Sequence, residues 1–193
     1  MATAQAALGM TVLTTPFPVR TAAPVQAPGV QAHHFKEALA RLASGLAIVT
    51  CWREEGPQGI LVSSITGLSV DPPRFLFCVR REASAHDALA SARLCGVSIL
   101  SADDEAEALS FIDPSLRSLR FKSPRWRIAP SHPPVLDSGL STAICLVDRV
   151  IDAGAHSILI VTAQSLGVRH GEPLLSYNRD LRRLQPGPDE GGL

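Results

Sequence analysis

A hydroxyl-rich segment, GILVSSITGLSVDPP, interrupts what would otherwise be a run of apolar strand residues at positions 59–73. Its small polar members are Ser63, Ser64, Thr66, Gly67 and Ser69. Two explanations fit this composition. These residues form a bulge and a turn whose hydroxyls bond to the local backbone, or they face a polar ligand that approaches the backbone closely. The residue types alone leave both explanations open.

A second candidate site precedes an alanine-rich helix in the stretch RREASAHDALA. Ser84 is predicted to be the N-cap of this helix, and Asp87 completes a weak capping box. The free N–H groups at a helix N-terminus also favour an anion. Arg80 and Arg81 lie just upstream, although nearby carboxylates oppose an anion. The spacing therefore allows either a simple cap or a phosphate site.

Two histidines and an aromatic–guanidinium pair are further candidates. His86 falls in the first turn of the same helix, where a surface histidine is the simpler interpretation. His156 follows a predicted hairpin turn and is either a turn residue or a hydrogen-bond donor or proton carrier beside a ligand, because imidazole titrates near neutrality. Tyr177 and Arg179 lie in LLSYNRDLRRL. They either belong to a final strand with solvated arginines or line a flat or anionic ligand.

The other ionisable side chains favour structural roles. The acidic residues predicted to cap a helix and face water are Asp103, Asp104, Glu105 and Glu107. The cysteines, which lie in apolar segments without a CxxC pair, are Cys51, Cys78, Cys95 and Cys145. This pattern favours reduced core thiols. No HExxH or histidine-rich tract is present in the sequence, so we expect no metal site.

The elements that must position these residues are short strands with single helices inserted between them. A helix is predicted over residues 33–45, with Phe35, Leu39 and Leu42 at helical spacing on one face. Strands are predicted in LAIVTCW, ILVSSIT, RFLFCV and CGVSIL, and a long hairpin in TAICLVDRVIDAG and HSILIVTAQSLGV. Because strands and helices do not alternate regularly, we expect an antiparallel barrel rather than a parallel doubly wound sheet.

The composition indicates one folded domain with two extensions. The chain has 193 residues, 46% of them hydrophobic, with 18 basic and 18 acidic side chains and no net charge. We therefore expect neither nucleic-acid nor membrane binding. The predicted division is a flexible arm at 1–32, a folded domain at 33–184 and a disordered tail at 185–193. Unpaired cysteines and the lack of a secretory signal favour the cytoplasm.

The order of these segments resembles the flavin reductase family, the FMN-binding split barrels that serve as reductase components of two-component flavin monooxygenases. The resemblance runs from about Phe35 to Leu184 in five pieces, FKEALARLASGLAIVT, GILVSSITGLSVDPPRFLFCV, SAHDALASARLCGVSILSAD, VIDAGAHSILIVTAQSLGV and PLLSYNRDLRRL. It implies a mainly β fold with inserted helices, an antiparallel split β-barrel. It also implies hydride transfer from NADH or NADPH to FMN or FAD, a homodimer and a partner monooxygenase.

The resemblance further implies where the flavin ring lies. The backbone of Leu61 and Val62 and the hydroxyls of Ser63 and Ser64 would meet the ring edge and the ribityl chain. The residues that would pass along the other side of the flavin are Cys78, Val79 and Arg80.

The phosphate and the nicotinamide are assigned on the same basis. Ser84 and the N–H groups after it, including that of His86, would hold the phosphate with help from Arg80 or Arg81. His156 would be the catalytic residue, near the ring face where nicotinamide docks. The residues that would close the site are Tyr177 and Arg179.

One position departs from the family pattern, which often reads Gly-Asp-His. Here the triplet is Gly154-Ala155-His156. The missing carboxylate removes a hydrogen-bond acceptor from beside the histidine, on the nicotinamide side rather than the flavin side. It motivates an alternative function, a flavin- or haem-binding split barrel without reductase activity.

Overall fold

The computed structural model describes residues 29–184. The helices are α1 (Ala32–Ala40), α2 (His86–Ala90) and α3 (Glu105–Ile112), with 3-10 turns at Ala102–Asp104 and Pro114–Leu119. The strands are β1 (Ser44–Gly45), β2 (Ala47–Arg53), β3 (Gly56–Val62), β4 (Thr66–Ser69), β5 (Arg74–Arg80), β6 (Leu94–Ile99), β7 (Trp126–Arg127), β8 (Val135–Leu136), β9 (Ser141–Ala153), β10 (His156–Val168), β11 (Leu174–Tyr177) and β12 (Asp180–Arg183). Residues 1–28 of the arm predicted at 1–32, and the tail predicted at 185–193, lie outside the described residues, so the proposed division of the chain stays a prediction.

Seven strands form one antiparallel sheet in the order β3-β2-β6-β9-β10-β5-β4. Two smaller sheets, β1-β11-β12 and β7-β8, accompany it. The helices are inserted singly between strands, as the sequence predicts. The mainly β, antiparallel class is therefore confirmed.

The long hairpin of β9 and β10 is the centre of this sheet. Each strand has 13 residues, and alternate residues at the start of β10 are buried, including Ser157, Leu159 and Val161. This period of two sends one set of side chains into the core. Gly154 in the connecting turn has φ +72°, a left-handed conformation that glycine adopts without steric cost. The predicted turn is confirmed.

The core has two parts that share β2. Ala47, Val49 and Cys51 face one cluster with Phe77 and Leu159, whereas Leu46 and Ile48 face another cluster with Leu100, Trp126 and Leu136. Successive side chains of a strand point to opposite faces, so the two clusters lie on either side of β2. Because both faces of β2 are buried, a shift of its register by one residue would exchange the side chains of the two clusters. β2 also pairs with β3, and Ala47 of β2 lies opposite Val62, the last residue of β3.

All four cysteines are free, and the prediction of core thiols is confirmed for three of them. Cys51, Cys95 and Cys145 are buried and Cys78 is half-buried. Burial raises the pKa of the Cys51 thiol to about 11. A hydrogen bond with Cys145, and then burial, raise the pKa of Cys95. These buried thiols are therefore protonated at neutral pH.

Helix α1 is exposed, and the prediction that four acidic residues face water is wrong for two of them. No residue of α1 is buried, and its apolar side chains Phe35 and Leu39 are 57% and 52% exposed. Conversely, the carboxylates of Asp104 and Glu107 are buried rather than solvated. Asp104 accepts hydrogen bonds from the N–H and hydroxyl of Ser101 at 2.9 and 2.7 Å, and Glu107 accepts one from a tryptophan indole. Buried carboxylates persist because such partners replace water.

Candidate functional site

A cleft of about 590 Å³ opens between α1, the end of β3, β5, the start of β10 and the β11–β12 hairpin. It brings together eight of the residues predicted from sequence, which are Leu61, Val62, Ser63, Ser64, Cys78, Arg80, His156 and Arg179. These residues come from four segments that are far apart in the chain. The sheet order explains the grouping, because β10 pairs with β5 and the end of β3 faces the same region.

Ser64 is held by the backbone of β5. Its hydroxyl accepts a hydrogen bond from the Cys78 N–H at 3.0 Å and donates one to the Cys78 carbonyl at 3.1 Å. The Ser64 hydroxyl is therefore satisfied by backbone, as in the first explanation, but by a neighbouring strand 14 residues away rather than by the local turn. The predicted strand over ILVSSIT ends earlier, at Val62, which leaves Ser63 exposed at the cleft. Ser63 is the hydroxyl that is free to meet a ligand.

Alternation along β5 separates the residues that were predicted to contact the flavin. Cys78 and Arg80 line the cleft, whereas Val79 between them is fully buried in the core. Because successive side chains of a strand point to opposite faces, the side chain of Val79 is directed away from the cleft. Only its backbone remains available for the predicted contact.

Arg81 follows the end of β5 and is committed to the β9–β10 turn. Its Nη2 lies 2.7 Å from Asp152 Oδ2, and its Nε donates to the Gly154 carbonyl at 2.8 Å. The hydrogen bond from Arg81 holds the pKa of Asp152 below its ordinary value, with a further contribution from the Gly154 N–H. Arg81 does not line the cleft, so Arg80 is the arginine of this pair that does.

His156 is the first residue of β10 and is half-buried at the cleft. It lies opposite Arg80 on β5 and opposite Ala153 on β9. The next residue, Ser157, is buried and its hydroxyl lies 2.9 Å from the His86 Nε2. His156 is thus fixed in the sheet at its backbone while its ring reaches the cleft.

The predictions for the start of α2 are partly wrong. The N-cap is Ala85 rather than Ser84, and the helix has only five residues. His86 is buried, not a surface residue, and its Nδ1 lies 2.7 Å from Asp87 Oδ1. Neither Ser84 nor His86 lines the cleft. Helix packing, which sequence spacing does not report, places His86 against β10 instead. The phosphate-binding role of Ser84 stays a prediction.

The closing segment forms a hairpin rather than a single final strand. Asn178 and Arg179 make its turn with φ of 53° and 68°, both in the left-handed region. The Asn178 N–H donates to the Ala40 carbonyl at 2.7 Å, and Arg179 forms an ion pair with Glu37, whose pKa it lowers. The hairpin is therefore docked on α1 at the cleft. Arg179 lines the cleft, whereas Tyr177 does not.

Sequence reasoning missed half of the cleft wall. The additional lining residues are Lys36, Leu39, Ala40, Leu42, Ser44, Ile60 and Ser176. Most belong to α1 and its C-terminal end, for which the helical periodicity predicted an apolar face but no role in the site. The segment FKEALARL places basic residues next to apolar ones. This pattern is compatible with a helix that borders a ligand as well as with one that borders the core.

No group of three or more His, Cys, Asp or Glu side chains that could hold a metal ion occurs within residues 29–184. In the same part of the chain, no helix is both long and apolar enough to cross a membrane.

The structure shows a mainly antiparallel β protein with a mixed polar and apolar cleft of small-molecule size at the end of β3, and comparison with known proteins shows the family. The model of the flavin reductase like domain matches residues 39–185, and the chain belongs to this family. A relative in Methylorubrum extorquens, named FMN reductase (NADH) RutF 2, is 32% identical over 83% of this chain and 93% of its own length.

Solved structures give the same result. The NADH:FAD oxidoreductase of Streptomyces globisporus, in complex with NAD and FAD fragments, matches with a TM-score of 0.74 and 25% identity over 81% of this chain and 94% of its own. BorF, the flavin reductase component of a bacterial two-component tryptophan halogenase, matches with a TM-score of 0.70 and 26% identity over 80% and 98%. The split-barrel fold predicted from sequence is confirmed by these neighbours.

Proposed function

We propose that this chain is an NAD(P)H-dependent flavin reductase that passes a hydride to FMN or FAD and supplies the reduced flavin to a partner monooxygenase. One observation carries the proposal. In a member of the flavin reductase family, a single cleft combines the polar end of β3 with Arg80 and His156. The relatives described above are named for NADH and flavin, which supports the same pair of reactants here.

The cleft suits a flavin in size and in chemistry. Its volume of about 590 Å³ falls within the roughly 300–1,000 Å³ typical of small-molecule sites. Leu61 and Val62 offer apolar contact to a flat ring, and Ser63 offers a hydroxyl. Lys36 and Arg80 line the same cleft and form no ion pair with another residue of the described part of the chain. These two cations are therefore available for a phosphate.

A bound flavin supplies the electron-accepting ring, and the nicotinamide supplies the hydride. The part of this chain is to place the two reactants. The end of β3 fixes one side of the cleft, because Ser64 is bonded to β5 at both its donor and its acceptor. His156 lines the same cleft from the start of β10, next to Arg80 on β5, and donates a hydrogen bond or carries a proton there. Orientation of this kind supplies up to about 7–11 kcal/mol in the best intramolecular models.

The direct test is stopped-flow mixing of the purified protein and flavin with NADH or NADPH, without oxygen. We expect the oxidised flavin absorbance to bleach with at least one nicotinamide, at a rate that depends on the concentration of the protein. Parallel runs with FMN, FAD and no added flavin distinguish a flavin substrate from a tightly held one. Failure to bleach either flavin with either nicotinamide would reject the proposal.

Ala155 favours one alternative, a flavin- or haem-binding protein without reductase activity. With alanine in this position, no carboxylate adjoins His156 in the sequence. Protein that binds flavin tightly but leaves it oxidised under excess NADH and NADPH would support this alternative. An absorbance titration with haem would separate the two ligands.

The assembly proposed for the chain is a homodimer. Phe35, Leu39 and Leu42 form an apolar strip on and after α1, and each is more than half exposed. Leu39 and Leu42 also line the cleft, so a second copy covering the strip would enclose the flavin site. BorF is named as a component of a two-component system, which supports a separate partner enzyme for this chain. A cytoplasmic location is part of the same proposal and is supported by the four free cysteines.

A further inference from the structure

His156 is held from two sides, and the two supports differ in character. After it in the chain, buried Ser157 is bonded to buried His86 at 2.9 Å. Before it lies the two-residue turn of Gly154 and Ala155, which is at the surface. A turn at the surface has few packing contacts to fix it, so any constraint on this side of His156 must come from specific bonds.

Arg81 supplies those bonds. Its backbone N–H donates to the Ala155 carbonyl at 3.0 Å, and its side-chain Nε donates to the Gly154 carbonyl at 2.8 Å. Both carbonyls at the centre of the turn are thus taken by one residue. The first bond comes from the backbone and persists with any residue except proline, whereas the second comes from the arginine side chain.

Asp152 completes the arrangement from the other side of the turn. One carboxylate oxygen lies 2.7 Å from Arg81 Nη2, and the other accepts the Gly154 N–H at 2.9 Å. The carboxylate therefore bonds to both the arginine and the turn. The lowered pKa of Asp152 has the same origin, first the hydrogen bond from Arg81 and then the one from the Gly154 N–H.

The exposure of the pair argues against a role in overall stability. The side chains of Arg81 and Asp152 are 47% and 71% exposed. Solvent-exposed ion pairs contribute little to folding. What the pair does fix is local: the conformation of Gly154 and Ala155, and through them the point at which His156 enters β10.

We infer that Arg81 and Asp152 are positioning residues for His156, forming a clamp on the β9–β10 turn that sets the histidine against the nicotinamide side of the cleft. This inference rests on the flavin reductase function proposed above. It replaces the predicted role of Arg81 at the flavin phosphate, because the guanidinium is already bonded to a carboxylate and a carbonyl. In this arrangement Asp152 supplies a carboxylate to the turn, although position 155 is alanine.

The test compares Asp152→Asn and Arg81→Gln with a matched ion pair on the same strands. Arg74 on β5 and Asp148 on β9 form that pair, with 3.3 Å between Arg74 Nε and Asp148 Oδ2. We expect Asp152→Asn and Arg81→Gln to raise the KM for NADH about five- to twentyfold, with flavin Kd within twofold of wild type. Asp148→Asn should change neither constant. Arg81→Lys should restore part of the loss.

Amide hydrogen exchange provides a readout that does not need turnover. Both clamp variants should exchange faster at residues 154–156 than wild type, and Asp148→Asn should not. Faster exchange with an unchanged KM for NADH would overturn the inference, as would unchanged exchange. An increase in flavin Kd as large as that in KM would also overturn it, in favour of a phosphate-binding Arg81. If wild type oxidises no NADH or NADPH, the proposed function fails, whereas the exchange data still report on the clamp.

Discussion

Ser64 and Cys78 exchange two hydrogen bonds, with the serine hydroxyl accepting from the cysteine N–H and donating to its carbonyl. This pair fastens the loop after β3 to the neighbouring part of β5. The two segments are 14 residues apart in the chain and form one continuous wall of the cleft. The serine is thus a structural support for the ligand-binding backbone around it.

Substitution of Ser64 with alanine should therefore affect both stability and flavin binding. Each hydrogen bond contributes about 0.5–1.5 kcal/mol net, and 1 kcal/mol corresponds to roughly 2–4 °C in Tm for a domain of this size. We expect Ser64→Ala to lower Tm by a few degrees and to raise flavin Kd, by calorimetry and fluorescence quenching. Ser63→Ala, which removes an exposed hydroxyl, should raise Kd with Tm unchanged. Equal Tm values for wild type and Ser64→Ala would contradict this role.

His156→Gln should impair reduction but not flavin binding. A hydrogen bond to a charged group contributes about 1.5–3 kcal/mol, and each 1.4 kcal/mol is a factor of ten. We expect the stopped-flow rate of flavin bleaching by NADH to fall about 10- to 100-fold, with flavin Kd within twofold of wild type. His132→Gln is the control, because His132 is exposed in a loop outside the cleft. A wild-type rate in His156→Gln would remove the histidine from the mechanism.

Arg80→Gln should weaken binding of FMN more than binding of riboflavin, which has no phosphate. Arg80 lines the cleft, so its removal takes away a charge-assisted contact with the phosphate. We expect FMN Kd to rise about tenfold, since such contacts contribute on the order of 1.5 kcal/mol when partly solvated. Riboflavin Kd should stay within twofold. An equal loss for both ligands would place the phosphate elsewhere, for example at Ser84.

Alkaline pH should destabilise the protein through Cys51. Burial raises the pKa of its thiol to about 11 in the folded protein, whereas an exposed thiol titrates near pH 8.5. The stabilisation from the protonated thiol is complete below the unfolded pKa and is lost as pH rises through the folded pKa. The urea concentration at the midpoint of unfolding should thus decrease as the pH is raised from about 8.5 to about 11.

The matched variant is Cys51→Ala. It should be less stable at all pH values because it leaves a cavity, but its urea midpoint should depend less on pH over this interval. Identical slopes for the two proteins would show that another group, such as the buried thiol of Cys95, causes the alkaline loss.

Leu39→Glu should dissociate the proposed homodimer. Leu39 lies in the centre of the exposed apolar strip, and a buried unpaired carboxylate is strongly unfavourable at an interface. We expect wild type to sediment as a dimer and Leu39→Glu as a monomer in analytical ultracentrifugation. Leu119→Glu is the control, because Leu119 is equally exposed in a 3-10 turn outside the strip. A monomeric wild type would refute the assembly.

Most of the fold could be predicted because its signals are local. The period-two burial along β10 and the glycine at position 154 determine a long hairpin whatever packs around it. The boundaries were less accurate, as for the strand that ends at Val62 and the helix that begins at His86. At an element's end, local preference is weak and packing decides.

The sequence by itself determined which apolar segments form strands, the turn at Gly154 and most of the polar residues at the cleft, because strand periodicity and turn chemistry act over a few residues. Only the tertiary structure decided that α1 lies outside the core, that Asp104 is buried, and that Arg81 bonds to Asp152 rather than remaining free beside Arg80. These outcomes depend on which distant segment packs against each residue. A helix with an apolar face, or an arginine with several donors, is compatible with more than one partner until the sheet has formed.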